Sequence, residues 1–251
     1  MRILLTIQYL GTRYAGWQTQ SNAVGVQQVI EAALTRLCAE PIRIEGAGRT
    51  DAGVHALAQR AHFDIPISIT SRGLILGLND LLPHDIRVTG AETVGDDFHC
   101  RFAATGKRYV YRIWNGPIAD VFHWATHAHV AQPLEIEPMA EAASMLAGEH
   151  DFRAFTVANP TVSSTRRALR SLEVERRGDA ISIALAADGF LRFMARRIAG
   201  SLIEAGSRRI SPSRVAESLE PAFSAARWTA PPRGLTLVEV EYDPTLPSQP
   251  E

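Results

Sequence analysis

The order of secondary structure over the first hundred residues constrains the fold more than any other feature of the sequence. Strands are predicted over residues 2–9, 41–45, 54–65 and 86–93, which are apolar or alternate in polarity. Apolar residues at helical spacing predict a helix over 26–37, and Thr70 or Ser71 can cap a second helix that Pro83 ends. Strand–helix–strand–strand–helix–strand is the order of the ferredoxin-like split βαβ arrangement, in which two helices cover one face of an antiparallel sheet.

The second half of the chain echoes this order without repeating the sequence. Residues 105–114 alternate as a strand with Tyr109, Tyr111 and Ile113 on one side, and 126–130 are expected to pair with it. Further elements are predicted as helices over 138–146, 190–204 and 211–219, a hairpin of 169–175 with 180–186, and a last strand over 235–242.

The sequence therefore predicts an α+β fold of two ferredoxin-like lobes, with antiparallel sheets joined around a central cleft and helices on one face. We expect an N-terminal lobe over residues 1–104, a C-terminal lobe over 105–243 and a flexible tail over 244–251, which contains three prolines. A cleft between two such lobes is a common place for a functional site.

Composition narrows the class of protein. The chain has 251 residues, 46% of them hydrophobic, and a net charge of −1, so global charge does not mark a nucleic-acid binder. No run of about 18 apolar residues is present. Cys38 and Cys100 form no metal-type spacing and are expected to be free thiols in a reducing compartment, which indicates a soluble cytoplasmic protein.

Positive charge is concentrated in one section. Arginines are frequent from Arg153 to Arg214, a pattern that can make one face positive, and Lys107 is the only lysine of the chain. Arginine binds phosphate bidentately and stacks on bases, which suits RNA, whereas codon bias is the alternative explanation for the scarcity of lysine.

The strongest chemical signal is residues 46–56, Gly-Ala-Gly-Arg-Thr-Asp-Ala-Gly-Val-His-Ala. This string sets the carboxylate of Asp51 between Arg49 and His55, and glycines make the backbone pliable. A carboxylate beside an arginine stays ionised and can act as nucleophile or base. The alternatives are an Asp that only satisfies turn amides and a glycosidase. Glycosidases usually need a second carboxylate about 5–10 Å away, and no comparable loop supplies one.

Three other stretches combine cations, aromatics and amides. Residues 107–112 interleave cations with tyrosines on a strand, as stacking on unpaired bases requires. Residues 189–197 place Arg196 and Arg197 at the edge of an apolar helix, and 14–20 form a loop with Trp17 and two glutamines. Each stretch taken alone also fits an ordinary structural role.

Together these stretches resemble the TruA-type tRNA pseudouridine synthases over nearly the whole chain. The matching residues are Gly16–Gln20, Val26-Gln27, Gly48–Ala56, Phe98–Phe102, Arg108–Tyr111, His150–Phe152, Met194–Arg196 and Pro232–Leu235. The string Gly-Arg-Thr-Asp is highly specific. Departures occur at Gly25, Cys100, Arg153 and Ala195, where the family usually has Thr, a small residue, Ser or Thr, and Val.

The resemblance implies isomerisation of uridine to pseudouridine in the anticodon stem-loop of tRNA, at positions 38, 39 and/or 40. It implies that Asp51 is the catalytic carboxylate, that Tyr109 stacks on the target base, that Arg196 pairs with Asp51 and that Arg49 helps to hold the nucleotide flipped out. The reaction is redox-neutral and loses no group, so no cofactor and no metal are expected. The implied partners are tRNA and a second copy of the chain in a homodimer, with no membrane. A catalytically inactive RNA-binding relative is the alternative.

Overall fold

The computed structural model is an α+β protein, as the sequence predicts, and it describes residues 1–67, 69–157, 163–220 and 228–243. The chain divides into two compact units, Met1–Thr105 with the described part of Leu237–Glu251, and Gly106–Thr236. The division lies close to the expected boundary at residue 104. The last strand, which the sequence analysis assigned to the C-terminal lobe, groups mainly with the first unit. The expected tail over 244–251 lies outside the described residues.

The described strands, in chain order, are β1 (Arg2–Tyr9), β2 (Glu45–Gly46), β3 (His55–Asp64), β4 (Ile86–Val94), β5 (Ala104–Trp114), β6 (Ala128–His129), β7 (Gly148–Asp151), β8 (Arg166–Arg177), β9 (Ala180–Ala187) and β10 (Leu235–Tyr242). The described α-helices are α1 (Val26–Cys38), α2 (Ser71–Leu81), α3 (Ile136–Leu146), α4 (Met194–Gly206) and α5 (Pro212–Glu217).

The sheet of the first unit has the strand order that the ferredoxin-like prediction requires. β1 lies between β4 and β3 and is antiparallel to both, so that Leu5 faces Ala91 on one side and Ala61 on the other. β2 pairs antiparallel with β3, and β10 also neighbours β3. Only the strand expected over 41–45 differs, because ladder pairing is confined to Glu45 and Gly46.

Helices α1 and α2 follow from apolar spacing and from one cap. α1 buries Ile30, Ala33 and Leu34 on one face, as residues three and four apart should. α2 begins after Thr70, whose Oγ1 accepts a hydrogen bond from the Gly73 backbone N–H at 3.1 Å, as an N-cap should. The predicted ends of both helices are confirmed to within one or two residues.

The second unit repeats this plan around β5. β5 pairs antiparallel with β9, β9 with β8 and β8 with β7, while β6 runs parallel to β5 with Ala128 beside Ile113. The predicted alternation of β5 is confirmed, because Tyr109, Tyr111 and Ile113 are all buried. The hairpin of β8 and β9 turns at Gly178, as expected, with a φ of +61°.

Helix α4 begins later than its apolar pattern predicts. The expected start at residue 190 is wrong, because Phe193 has a φ of +66°, in the left-handed region that a right-handed helix excludes. Residues 190–193 instead form the connection from β9, and the helix runs from Met194 to Gly206. Within the described residues, no helix is both long and apolar enough to span a membrane.

Candidate active site

The loop that carries Asp51 connects β2 to β3 and is fixed by backbone hydrogen bonds. The Ala47 N–H donates to the Arg60 carbonyl at 2.7 Å, and Gln59 Nε2 donates to the Gly48 carbonyl at 2.8 Å. On the other side, the Trp17 N–H donates to the Thr50 carbonyl at 3.1 Å. The loop is therefore held between β3 and the segment that follows β1.

Asp51 itself opens a tight turn. Its carbonyl accepts a hydrogen bond from the Val54 N–H at 3.1 Å, and Gly53, inside the turn, has a φ of +78°. Gly16 packs against the same backbone with a φ of +91°, and a Cβ at this position would overlap the Thr50 carbonyl oxygen. Glycine is required at Gly16 both by conformation and by the close approach of the two segments.

Residues on either side of Asp51 anchor the turn through their side chains. The Thr50 Oγ1 lies 2.9 Å from the hydroxyl of Tyr9 on β1, and both groups are buried. His55 is also buried, and its Nδ1 accepts a hydrogen bond from the Gly11 N–H at 2.9 Å. His55, which the sequence places beside Asp51, thus holds the backbone at residue 11.

Asp51 is partly exposed and Arg49 is exposed, although Thr50 and Val54 in the same loop are buried. A carboxylate on a rigid turn, with access to solvent and an arginine two residues away, can reach a substrate without reorganising its backbone. This arrangement suits a nucleophile or a base.

Tyr109 lies on β5 in the second unit, opposite Leu185 of β9. Its side chain is 7% exposed, and the Phe190 ring meets it edge-on with 4.9 Å between ring centroids. Such a packed aromatic pair fixes the plane of the tyrosine ring. A ring that is held in one orientation can serve as a stacking surface for a base.

Arg196 lies in the first turn of α4, where two contacts orient its guanidinium. Its Nε donates to the Ala230 carbonyl at 2.8 Å, and its Cζ lies 5.5 Å from the centroid of the Phe193 ring. The Ala230 N–H in turn donates to the Arg196 carbonyl at 3.1 Å. The left-handed backbone of Phe193 therefore both starts the helix and places a ring beside this arginine.

The four predicted site residues are divided equally between the compact units. Arg49 and Asp51 lie in the first unit, and Tyr109 and Arg196 lie in the second. Contacts within the second unit orient Tyr109 and Arg196, and contacts within the first unit fix the backbone at Asp51. The sequence profile of a known family, described as tRNA pseudouridine synthase, matches residues 5–103 and 142–243. This chain belongs to the tRNA pseudouridine synthase family.

Curated members of the family align with this chain over nearly their full length. The protein named tRNA pseudouridine synthase A from Myxococcus xanthus is 44% identical over 243 residues, covering 96% of this chain and 92% of its own length. The proteins of the same name from Idiomarina loihiensis and Geobacter sulfurreducens are 43% and 42% identical, each covering 96% of this chain and 93% and 99% of their own lengths.

Several residues that shape the site were missed by the sequence analysis. Tyr9, Gly11 and Gln59 hold the Asp51 loop, yet each stands in a segment that reads only as a strand or its end. Asp85 is buried and accepts a hydrogen bond from the Tyr14 hydroxyl at 2.6 Å, which fixes the segment after β1. In the sequence, Asp85 stands out only by its position next to the predicted strand over 86–93. Its burial, which makes a hydrogen-bond partner necessary, is visible only in the structure.

Many arginines of the arginine-rich section already contact groups of their own unit. Several of its members pair with carboxylates of the same unit, namely Arg153 with Asp151, Arg166 with Glu149, Arg177 with Glu175, Arg208 with Glu135, Arg209 with Glu204 and Arg214 with Glu217. Arg197 is directed inwards to the Ala154 carbonyl at 3.2 Å, and burial lowers its pKa. Arg192 is exposed and lies over the Phe193 ring, 4.8 Å from its centroid.

Proposed function

We propose that this chain isomerises uridine to pseudouridine in the anticodon stem-loop of tRNA, at positions 38, 39 and/or 40. The observation that carries the proposal is the Gly-Arg-Thr-Asp turn at Asp51, which is fixed on both sides by hydrogen bonds and leaves the carboxylate partly exposed. Family membership, over almost the whole length of relatives named tRNA pseudouridine synthase A, supports the same reaction and substrate class.

The proposed reaction breaks the glycosidic bond between N1 of uracil and C1′ of ribose and forms a bond between C5 and C1′. Asp51 initiates it, either by attack of its carboxylate on C1′ or by removal of the 2′ proton. The detached base rotates so that C5 faces C1′, and as the new bond forms the Asp51–C1′ bond breaks or the 2′ proton returns. The C5 proton then leaves and N1 takes up a proton in its place. Electrons and heavy atoms balance within the nucleotide, so the overall change is an isomerisation.

The remaining site residues are proposed to hold the nucleotide. Tyr109 stacks on the uracil ring and takes part in removal of the C5 proton, for which a fixed ring plane is needed. Arg196 binds at the substrate site, and its oriented guanidinium suits an anionic partner. Arg49, which is exposed beside the Asp51 turn, is proposed to enter the RNA and to stabilise the extruded nucleotide, a step that costs a few kcal/mol of lost stacking.

We further propose that the protein acts in the cytoplasm as a homodimer on the anticodon arm. Two buried cysteines without a disulfide fit a reducing compartment. The second unit also presents a cluster of apolar side chains to solvent, comprising Ile118, Val121, Phe122 and Trp124. An exposed group of this kind is typical of a protein–protein interface.

Release of tritium from an unmodified tRNA transcript carrying C5-tritiated uridine tests the proposed reaction. We expect release by the wild-type protein and none by Asp51→Asn, whose side chain cannot attack or accept a proton as a carboxylate does. Affinity for the transcript should stay within a few-fold of wild type. Asp80→Asn, an exposed aspartate on α2, is the matched control and should release tritium at the wild-type rate.

Two outcomes would contradict the proposal in different ways. Substantial release by Asp51→Asn would remove Asp51 from the chemistry but leave the reaction. Binding of the transcript without release by wild type would identify a catalytically inactive RNA-binding relative, in which Asp51 only completes its turn.

A further inference from the structure

A histidine and a consecutive His-Cys pair that are distant in sequence meet in the first unit. His62 lies on β3, and His99 and Cys100 lie in the connection that leads from β4 to β5. One ligand atom from each of the three residues lies within 4.8 Å of the others. No other such group of three or more His, Cys, Asp or Glu side chains occurs in the part of the chain that the structure describes.

We propose that His62, His99 and Cys100 form a binding site for Zn²⁺ or a similar thiophilic divalent ion. Imidazole nitrogen and thiolate sulfur are the ligands that Zn²⁺ prefers, and a structural site needs a fourth ligand to complete the tetrahedron. The proposal is independent of the isomerisation, which requires no metal, and it assigns the ion a structural role.

The distance between two of the three ligand atoms is close to the one that a tetrahedral ion imposes. Nδ1 of His62 lies 3.2 Å from Sγ of Cys100. Zn–N bonds of about 2.0 Å and Zn–S bonds of about 2.3 Å place such atoms roughly 3.5 Å apart at a tetrahedral angle. A small adjustment of His62 and Cys100 therefore suffices for them to bind one ion, and the ligand atom of His99 lies within 4.8 Å of both.

Glu45 supplies nearby negative charge and a candidate fourth ligand. It pairs with His62 across β2 and β3, and its Oε2 lies 3.2 Å from Nε2 of His99. The Glu45 side chain is 66% exposed, so it is free to rotate towards an ion.

Packing holds the three ligands in place before any ion arrives. His62 and Cys100 are buried, and the His99 ring lies between the His62 ring, at 4.8 Å, and the Phe102 ring, at 4.2 Å. The Cys100 thiol donates to the Glu45 carbonyl at 3.1 Å, and its proton would be released on binding.

A bound ion would join the β4–β5 connection to β2 and β3. The connection is already held by the Tyr242 hydroxyl, which donates to the Cys100 carbonyl at 2.8 Å. Since the ion would bind the folded unit and not the unfolded chain, saturating Zn²⁺ should raise the unfolding temperature.

The test is metal binding by the full-length protein after dialysis against a chelator. We expect wild type to bind one Zn²⁺ per chain in competition with a chromophoric chelator, and Co²⁺ to give a thiolate-to-metal charge-transfer absorption. Cys100→Ala should lose the Co²⁺ absorption and weaken Zn²⁺ binding by more than about 100-fold, since even second-shell losses cost 10–100-fold. Cys38→Ala removes the other buried cysteine and should change neither result.

The proposal is overturned if wild type binds no stoichiometric Zn²⁺, or if Cys100→Ala and Cys38→Ala bind equally well. Circular dichroism of each variant establishes that it is folded. Should Cys100→Ala fail to fold, His62→Gln replaces it, and the charge-transfer absorption of the wild-type Co²⁺ form still decides whether a thiolate is a ligand. Tritium release by wild type with and without bound metal keeps this test separate from that of the proposed reaction.

Discussion

At the scale of single residues, two tyrosines on β5 are expected to have different roles, Tyr109 in the reaction and Tyr111 in the stability of the fold. Tyr109 is 7% exposed and packs its ring against Phe190, whereas Tyr111 is fully buried. The Tyr111 hydroxyl donates to the Pro231 carbonyl at 2.9 Å, and burial raises the pKa of this phenol. The same change to phenylalanine should therefore have different consequences at the two positions.

Tyr109→Phe should slow isomerisation while leaving the affinity for tRNA within a few-fold of wild type. The ring that is proposed to stack on uracil is kept, but the hydroxyl that is proposed to assist removal of the C5 proton is lost. Positioned acid–base groups typically contribute about 10²–10⁴-fold, and we expect a decrease in this range. Single-turnover tritium release, with binding measured separately, gives both quantities.

Tyr111→Phe is the matched control for that experiment. It leaves the Pro231 carbonyl without its donor, so we expect the free energy of unfolding to fall by about 1 kcal/mol. Turnover per folded molecule should be unchanged, because Tyr111 is enclosed in the second unit. Equal turnover by Tyr109→Phe and wild type would exclude the proposed role in proton transfer.

At the scale of secondary-structure elements, local periodicity is a good guide where one face of an element is buried. α1 is predicted over 26–37 and observed as Val26–Cys38, and β10 is found at the predicted residues. The core side chains of these segments recur at the spacing of the element itself, so the pattern is visible without tertiary information.

Elements that depend on a distant partner could not be predicted in this way. β2 and β6 are two residues long, and each exists only because β3 or β5 offers a ladder partner. The start of α4 depends on the left-handed Phe193, which an apolar pattern does not reveal. For the same reason the sequence identifies Asp51 from its motif but not its support by Tyr9 and Gln59.

Gly16→Ala should destabilise the loop that carries Asp51. The new side chain would have a φ of +91° and a Cβ that overlaps the Thr50 carbonyl oxygen, so the two segments must separate. We expect the free energy of unfolding to fall by more than about 2 kcal/mol, since the left-handed backbone alone costs roughly 1–2 kcal/mol. Tritium release should also fall in the protein that remains folded, because the Asp51 turn moves. Denaturant unfolding and tritium release measure the two effects.

Gly178→Ala separates backbone strain from this overlap. Gly178 has a φ of +61° in the turn between β8 and β9, and a Cβ there meets no atom within 4 Å. The free energy of unfolding should fall only by the roughly 1 kcal/mol that the left-handed backbone costs an alanine, and tritium release should be unchanged. If Gly16→Ala behaves in the same way, close packing of residue 16 against Thr50 is not what positions Asp51.

At the scale of the whole molecule, the exposed arginines of the second unit that pair with carboxylates can exchange that partner for an RNA phosphate. Exposed pairs of this kind contribute little to stability and are screened by salt. Affinity for tRNA should therefore fall with salt according to the number of phosphates actually bound, with about 0.7–0.9 logarithmic units per phosphate for each tenfold rise in salt. A flat response between low and high salt would argue against an arginine-based RNA surface.

The proposed homodimer makes a prediction about the apolar cluster of Ile118, Val121, Phe122 and Trp124. Phe122 is 90% exposed, although its N–H donates to Asp120 Oδ1 at 2.8 Å, so an ordered turn presents a large apolar ring to solvent. Phe122→Asp should shift a dimer to monomers in size-exclusion chromatography with light scattering. Burial of the ring contributes about 1.5–3 kcal/mol, and a two-fold interface loses it twice.

Leu76→Asp is the matched control, because Leu76 is 60% exposed on α2 and stands outside the apolar cluster. This variant should keep the wild-type mass, whereas Phe122→Asp should raise the dimer dissociation constant by on the order of 100-fold or more. If both variants remain dimeric, the interface lies elsewhere, since a carboxylate buried without a partner costs too much to be tolerated at its centre. A monomeric wild-type protein at the concentrations used for tritium release would contradict the proposed homodimer itself.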